Sequence, residues 1–509
     1  MKKLKQATIL SLLITFICAS TVFADVKLPR MLGNNMVLQR DMPIPVWGWA
    51  DAGEQVTITL GDHEATTTAD ADGNWRVTLP TMSGGGPYTM TVSGDENRIE
   101  LTDILVGEVW ICSGQSNMQW SVRQSKDSEK EIAEANYPMI RLFHVPRKPS
   151  GLPIVDVNAN WRATTPETVE GFSAVAYFFG RKLHKTLGVP IGLIHTSWGG
   201  TRIEPWTPPA GFASVPEVQE IYQSVQRQNA HYMNKLGQKL DEIEAWVNAT
   251  RTALAENKRI LPMPENRHPL NHQGQPTGLY NGMVHPLVPF ALRGAIWYQG
   301  ESNLADGMMY HEKMKALING WRAVWEQGDF PFYFVQLAPF NYGRARNRPF
   351  LLPQIWEAQS ATLLVPNTGM VVTTDIGNTR DIHPQNKQDV GKRLALWALA
   401  KTYGHGDVVY SGPLYKSMRF DGPKIRISFD HVGSGLASRD GQPLTWFEIA
   451  DETGNFVKAQ AEIFDNEVVV WSDTITEPTI VRFGWHQEAE PNLMNKEGLP
   501  ASPFRTDRW

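Results

Sequence analysis

The chain has 509 residues, of which 42% are apolar, 18 are tryptophan, and the formal charge is −5. That is too much chain for one ordinary hydrophobic core and points to about two to four domains, with ample apolar material to pack them. A mildly acidic balance without basic runs gives no electrostatic reason to bind nucleic acid or anionic lipid.

The first residues read as an export signal, because Lys2, Lys3 and Lys5 precede an apolar run from Ile9 to Ile17 and Val22-Phe23-Ala24 offers small residues for cleavage. Residues 1–24 are therefore expected to be removed, leaving a periplasmic or secreted protein that begins near Asp25. The apolar run is too short to span a bilayer, and Thr15-Phe16-Ile17 ahead of Cys18 lacks the small residue of a lipoprotein site, so no membrane anchor is expected. With Cys18 in the signal, Cys112 stands alone and is expected as a buried free thiol.

Residues 25–103 read as short strands with turn punctuation. Gln55 to Leu60 alternates cleanly, and Asp72-Gly73-Asn74 and Gly84-Gly85-Gly86-Pro87 are turn signals. A small β-sandwich is expected, in which Met42 to Trp47, with two prolines, can serve only as an edge strand.

After Asp103 the rhythm changes. Apolar runs at Ile104 to Ile111, Ile191 to Ile194, Ala295 to Tyr298, Phe332 to Leu337 and Met370 to Thr373 alternate with helical patterns. Those helices carry Val175, Phe179 and Leu183, then Met314, Leu317, Ile318, Trp321 and Trp325, and finally Val390, Leu394 and Trp397. This is the pattern of a parallel sheet with crossover helices, predicted over residues 104–404. A polar helical stretch from Val215 to Lys258 and the Pro-, Asn- and His-rich Leu261 to Gln275 interrupt it, giving an insertion over about 205–277. Residues 405–509 return to β character, with Lys424 to Phe429 and Val468 to Trp471 as the clearest strands.

The chemistry gathers where strands end. Val106 to Cys112 runs into Ser113-Gly114-Gln115-Ser116-Asn117-Met118, which places Ser116 in a tight turn at the carboxyl edge of a sheet, where catalytic groups of α/β folds collect. Met118 stands where the nucleophile elbow of α/β-hydrolases has its last glycine. A serine needs a nearby base, and Asp381-Ile382-His383-Pro384, in a loop after a strand, offers one: His383 can take the proton from Ser116 while Asp381, two residues away on the same side, orients it. Each feature alone also fits a plain turn or a helix cap. His195 to Arg202 brings Gly199 and Gly200, whose amides can approach an oxyanion, and Gln299 in Gln299-Gly300-Glu301-Ser302-Asn303 adds a side-chain donor. The expected oxyanion hole is the Ser116 amide, Gly200 or Gly199, and Gln299. Arg202, Asn117 and Glu301 are candidate substrate contacts; Arg202 can pair with a substrate carboxylate or equally form a structural ion pair.

Together, Gly107-Glu108-Val109-Trp110 through Met118, Gly199-Gly200-Thr201, Leu279 to Leu287, Trp297 to Asn303 and Asp381-Ile382-His383-Pro384 resemble, in order, the sialate O-acetylesterase family. The resemblance implies an SGNH-type three-layer α/β/α domain with flanking β-sandwich-like domains and acetyl-ester hydrolysis by a serine esterase without metal or cofactor. It also implies Ser116 as nucleophile and His383 as base. Gln299 takes the place that asparagine holds in the wider superfamily, and Asp381-x-His383 departs from the usual D-x-x-H, which makes Asp375 the reserve for the third member. The implied partner is an O-acetylated carbohydrate, sialic acid first. Related sequences also act on xylan and xyloglucan side groups. A carbohydrate-binding protein that has lost catalysis is the alternative of another class, against which Ser116, Asp381 and His383 stand together.

Overall fold

The structure, a computed structural model, describes residues 25–343 and 348–507. The expected signal segment, residues 1–24, lies outside them. Seven strands form the central sheet, in the order Thr368–Val371, Phe332–Val335, Gly294–Tyr298, Arg98–Gly114, Ile191–Ser197, Tyr137–His144 and Trp161–Thr164. All neighbours are parallel except the last pair. Such strands are covered on both faces, which is why Ile191–Ser197 and Gly294–Tyr298 are buried at every position.

Helices supply the cover. Trp110 meets Phe179 of the helix Ala174–Leu187, with ring centroids 5.1 Å apart, and Trp297 meets Trp321 of the helix Met309–Trp325 at 6.2 Å. Trp297 pairs with Ser113, an odd number of residues from Trp110, so the two helices lie on opposite faces. The helix Lys387–Trp397 packs beside Ala174–Leu187 so closely that a Cβ on Gly391 would come within 2.7 Å of Phe178 Cβ.

The strand Arg98–Gly114 is 17 residues long and belongs to two layers of organisation at once. Its first half pairs antiparallel with Gly85–Ser93, which in turn pairs with Gln55–Leu60; its second half is the middle of the parallel sheet. The boundary expected between residues 103 and 104 thus falls inside one strand. One hydrophobic core runs from Val26 to Leu399 without a break between the two sheets. Ile44–Trp49 forms a strand that includes Pro45 and pairs with Asn74–Leu79, with a single further bridge from Trp49 to Lys27.

The insertion holds a short helix, Pro209–Ala213, and a long one, Gln219–Ala255, in which only Val225 is fully buried, consistent with its polar composition. Residues 414–505 form antiparallel sheets around a core of their own, which includes Ile427, Val470 and Phe483. No helix among the described residues is long and apolar enough to cross a membrane.

Candidate active site

Register brings the site together. Gly114, Ser197 and Tyr298 are paired residues at the ends of three adjacent strands, so the loops that follow them start side by side at one edge of the sheet. At Gly114 φ is +141° and a Cβ would lie 2.1 Å from Tyr298 O, so only glycine lets the chain turn this close to its neighbour. The turn is fixed by Gln115: its amide donates to Tyr298 O at 3.0 Å, and its buried side-chain Oε1 accepts from the amides of Gly300 at 3.2 Å and Ser302 at 3.4 Å. Ser116 then opens the short helix Ser116–Gln119 and is half-buried. Its hydroxyl is not taken by a protein partner among the described residues.

His383 lies against this turn. Its ring stacks on Trp120 with centroids 4.6 Å apart and planes 14° from parallel, and the amide of Trp120 donates to Ser116 O at 2.9 Å. Asp381 Oδ1 accepts from the His383 amide at 2.9 Å and sits 3.8 Å from Nδ1. The two-residue spacing thus makes a carboxylate-capped turn that leaves the charge beside the ring. Burial pulls the His383 imidazole below its ordinary value and the nearby Lys387 adds to this, while Asp381 opposes both. Burial and Lys387 thus both favour the neutral ring that a base needs. Asp375 is engaged elsewhere: both carboxylate oxygens take Arg393, at 2.7 and 2.5 Å, so it is not the residue that orients His383.

Asn117 connects nucleophile and base. Its Nδ2 donates to Glu301 Oε1 at 2.6 Å and to Ile382 O at 3.0 Å, and its Oδ1 accepts from Lys387 Nζ at 2.5 Å. Buried, with both Nδ2 donors and one Oδ1 lone pair bonded to the protein, Asn117 holds the two loops together, a bracing role where the sequence reading expected a substrate contact. Glu301 likewise turns inward to Asn117, with Oε2 buried and unpartnered among the described residues. Burial raises the Glu301 carboxyl, opposed by Asn117 and Lys387, and lowers Lys387 to about 7 against the pull of Glu301 and Asp381.

Two more expectations are corrected. Gln299 does not point to Ser116: its Nε2 donates to Thr201 O at 3.1 Å and Asn303 Oδ1 at 2.8 Å, and its Oε1 accepts from Tyr310 at 2.7 Å. It is fully buried because it braces two loops from below. Arg202 takes the structural of its two roles, with Nη2 donating to Glu204 at 2.8 Å and Asp306 at 3.0 Å and Nη1 to Ser302 O at 3.1 Å. Lys313 completes the cluster at 2.7 Å from both acids. Burial works to raise the Glu204 carboxyl, but Arg202 and Lys313 prevail and hold it at about 2. Of the two glycines, Gly199 is the one against the nucleophile, since a Cβ there would lie 3.2 Å from Ser116 Cβ, whereas Gly200, at φ +74°, faces open space. The Gly199 amide donates to Gln119 Oε1 at 2.7 Å, and that acceptor must give way for the amide to serve an oxyanion.

Gln115, Gln119, Trp120 and Lys387 were not singled out from sequence. Gln115 and Gln119 flank the serine and could have been suspected from their place in the motif. Trp120 and Lys387 gave no signal, since a tryptophan reads as core and a lysine in a first helical turn as solvated.

A serine in a tight turn, a histidine carried by a neighbouring loop and the Gly199-Gly200 turn gather at the carboxyl edge of a parallel sheet, where the catalytic groups of α/β hydrolases collect. The chain belongs to the family described as carbohydrate esterase, sialic acid-specific acetylesterase, whose profile matches residues 106–246 and 270–400. It is similar to the sialate O-acetylesterase of Rattus norvegicus, 33% identical over 76% of this chain and 75% of that one, and to that of Homo sapiens, 32% identical over 75% and 72%. Among solved structures it is similar to a novel carbohydrate acetylesterase from Xanthomonas citri, with a TM-score of 0.80 and 38% identity over 95% of this chain and 100% of that one. The chain is an esterase.

Proposed function

We propose that this protein removes O-acetyl groups from a carbohydrate by a Ser-His-Asp mechanism in an α/β domain of the SGNH type. The observation that supports it is the tie through Asn117, which holds the His383 loop to the Ser116 turn while Asp381 lies 3.8 Å from His383 Nδ1 and the Ser116 hydroxyl has no protein partner among the described residues. Ser116 Oγ attacks the acetyl carbon as its proton passes to His383, and the negative oxygen is held by the Ser116 amide and amides of the Gly199-Gly200 turn. His383 then protonates the departing sugar hydroxyl, leaving an acetyl-serine. Water, deprotonated by His383, releases acetate and restores Ser116. The Ser116 and His383 side chains are not hydrogen-bonded to each other before substrate enters, and in such sites the contact commonly tightens in the complex.

Sialic acid is the substrate that the rat and human relatives suggest. A second reading, a neutral hemicellulose side group, is favoured by Arg202: the cation that could have met the sialate carboxylate is committed to Glu204 and Asp306. Acetate release measured on O-acetylated sialosides and O-acetylated xylan and xyloglucan oligomers, with Ser116→Ala as the control, tests both. Release that persists in a folded Ser116→Ala protein would remove the mechanism.

A further inference from the structure

The C-terminal sheets carry an aromatic cavity that ester hydrolysis leaves without a role. It has a volume of about 470 Å³ and is lined by Phe350, Trp446, Phe447, Glu448, Lys458 and Trp485, within the size and composition range of small-ligand sites. Trp446 is the unusual member. Its φ is +64°, a left-handed conformation that favours glycine and asparagine and is a genuine outlier for a bulky residue, yet the residue is 40% exposed. An indole that were only filler would be buried and relaxed. Here the backbone holds strain while the ring stays in solvent, braced by His486 with centroids 5.9 Å apart and planes 21° from parallel.

Polar groups flank the plate. In the strand Phe447–Ala450, Glu448 lies opposite Lys458 on one side and Arg482 on the other. Burial raises the Glu448 carboxyl, against these cations and His486. Trp485 Nε1 is buried with no hydrogen-bond partner among the described residues. The cavity is also joined to the catalytic loops. Asn341 takes the carbonyl of Thr379, near His383, through its amide at 3.0 Å, and reaches Glu488 Oε1 with its side chain at 3.0 Å; Gln487 donates to Pro349 O, one residue before Phe350.

We propose that this cavity is a second carbohydrate site, which holds a neutral glycan chain with one sugar ring stacked on Trp446 and its hydroxyls on Glu448 and Lys458. A pyranose has an apolar C–H face and a polar rim, and an exposed indole edged by a carboxyl and an ammonium offers both counterparts. A chain held here keeps its acetylated residues at high effective concentration around Ser116, which is of use only on a polymer. The proposal rests on the carbohydrate-esterase reading.

The test is isothermal titration of Ser116→Ala protein, and of the same protein with Trp446→Asn, against deacetylated xylan, xyloglucan, cellohexaose and sialyl oligosaccharides. Asparagine accepts the left-handed backbone, so the double variant is expected to melt at the same temperature or higher while binding at least one of the neutral glycans about 3- to 10-fold more weakly, the loss of one stacking contact; binding of the sialyl oligosaccharides alone overturns the proposal. Lys458→Ala, an exposed change, is expected to weaken binding in the same direction should Trp446→Asn not fold. In the active background Trp446→Asn should leave kcat/KM on 4-nitrophenyl acetate unchanged and lower it on the acetylated polymer. No binding to any glycan, or equal binding with and without Trp446, overturns the proposal. Failure of the unmodified protein to cleave 4-nitrophenyl acetate or any acetylated glycan would instead overturn the esterase reading, and the titration would still decide the site.

Discussion

Asp381→Asn is the substitution that most directly tests how the base is built. The amide side chain keeps the bond to the His383 backbone, since its oxygen can still accept, and removes only the charge lying 3.8 Å from Nδ1. At that distance a charge stabilises the imidazolium of the transition state by about 1 kcal/mol at the dielectric of water and about 4 kcal/mol at the effective value near protein surfaces. The Asp381 side chain is 47% exposed, so screening favours the lower half of that range. The expected loss in kcat is therefore about 5- to 70-fold, well short of the ~10⁴ of a buried triad aspartate. Asp381 also raises the His383 pKa, so its removal should move the acid limb of kcat/KM to lower pH even as the plateau falls. Steady-state hydrolysis of an acetyl ester between pH 4 and 9 reads both effects. A kcat within twofold of the unmodified enzyme, or an acid limb displaced upward, would refute the reasoning. Asp375→Asn is the counterpart: it unpairs Arg393 in a pair whose side chains are 11% and 8% exposed, so about 3–5 kcal/mol of stability should go while kcat of the folded enzyme stays.

Lys387→Met removes a positive charge that lowers the His383 pKa; the base then stays protonated to higher pH, and the acid limb of kcat/KM should shift upward, which a pH–rate profile will show or deny. Gln299→Ala breaks buried hydrogen bonds to Thr201, Asn303 and Tyr310 and should lower stability by about 2–4 kcal/mol, read as a fall in the urea midpoint; a kcat loss of 100-fold or more at unchanged stability would return Gln299 to the oxyanion hole. Ser116→Ala should abolish turnover with an unaltered thermal transition, because the Ser116 side chain carries no protein hydrogen bond among the described residues. Mass spectrometry of exported protein should find Asp25 as the first residue and Cys112 unlabelled in the native state, its thiol pushed well up by burial.

The sheet was legible because its strands are buried on both faces and so appear as unbroken apolar runs, and its helices because Val175, Phe179 and Leu183 or Val390, Leu394 and Trp397 repeat at the period of one buried stripe. The motifs around Ser116 and His383 pointed to the two loops that Asn117 ties together. What escaped the reading was the direction of polar side chains. Gln299, Asn117, Glu301 and Arg202 sit in the right loops, but whether an amide or guanidinium faces the cleft or braces the loops beneath it depends on partners such as Tyr310, Lys387 and Asp306, far away in the chain. Gly200 was preferred for lying nearer the turn, whereas the contact with Ser116 belongs to Gly199 because of where the backbone bends.

The strand shared by the N-terminal β layer and the parallel sheet has a bearing on how this protein can be taken apart. A chain started at Ile104 would keep the nucleophile turn but strip the antiparallel half of the strand that leads to it and open the core from Val26 to Leu399 along one side. The N-terminal β layer is in that sense no exchangeable module: it should melt with the catalytic sheet in one cooperative step. The C-terminal sheets keep a separate core but are tied to the catalytic sheet by Gln336, which donates to Ser502, and by the Arg505–Glu357 ion pair, so a domain exchange there has to preserve those polar contacts, not a shared apolar core.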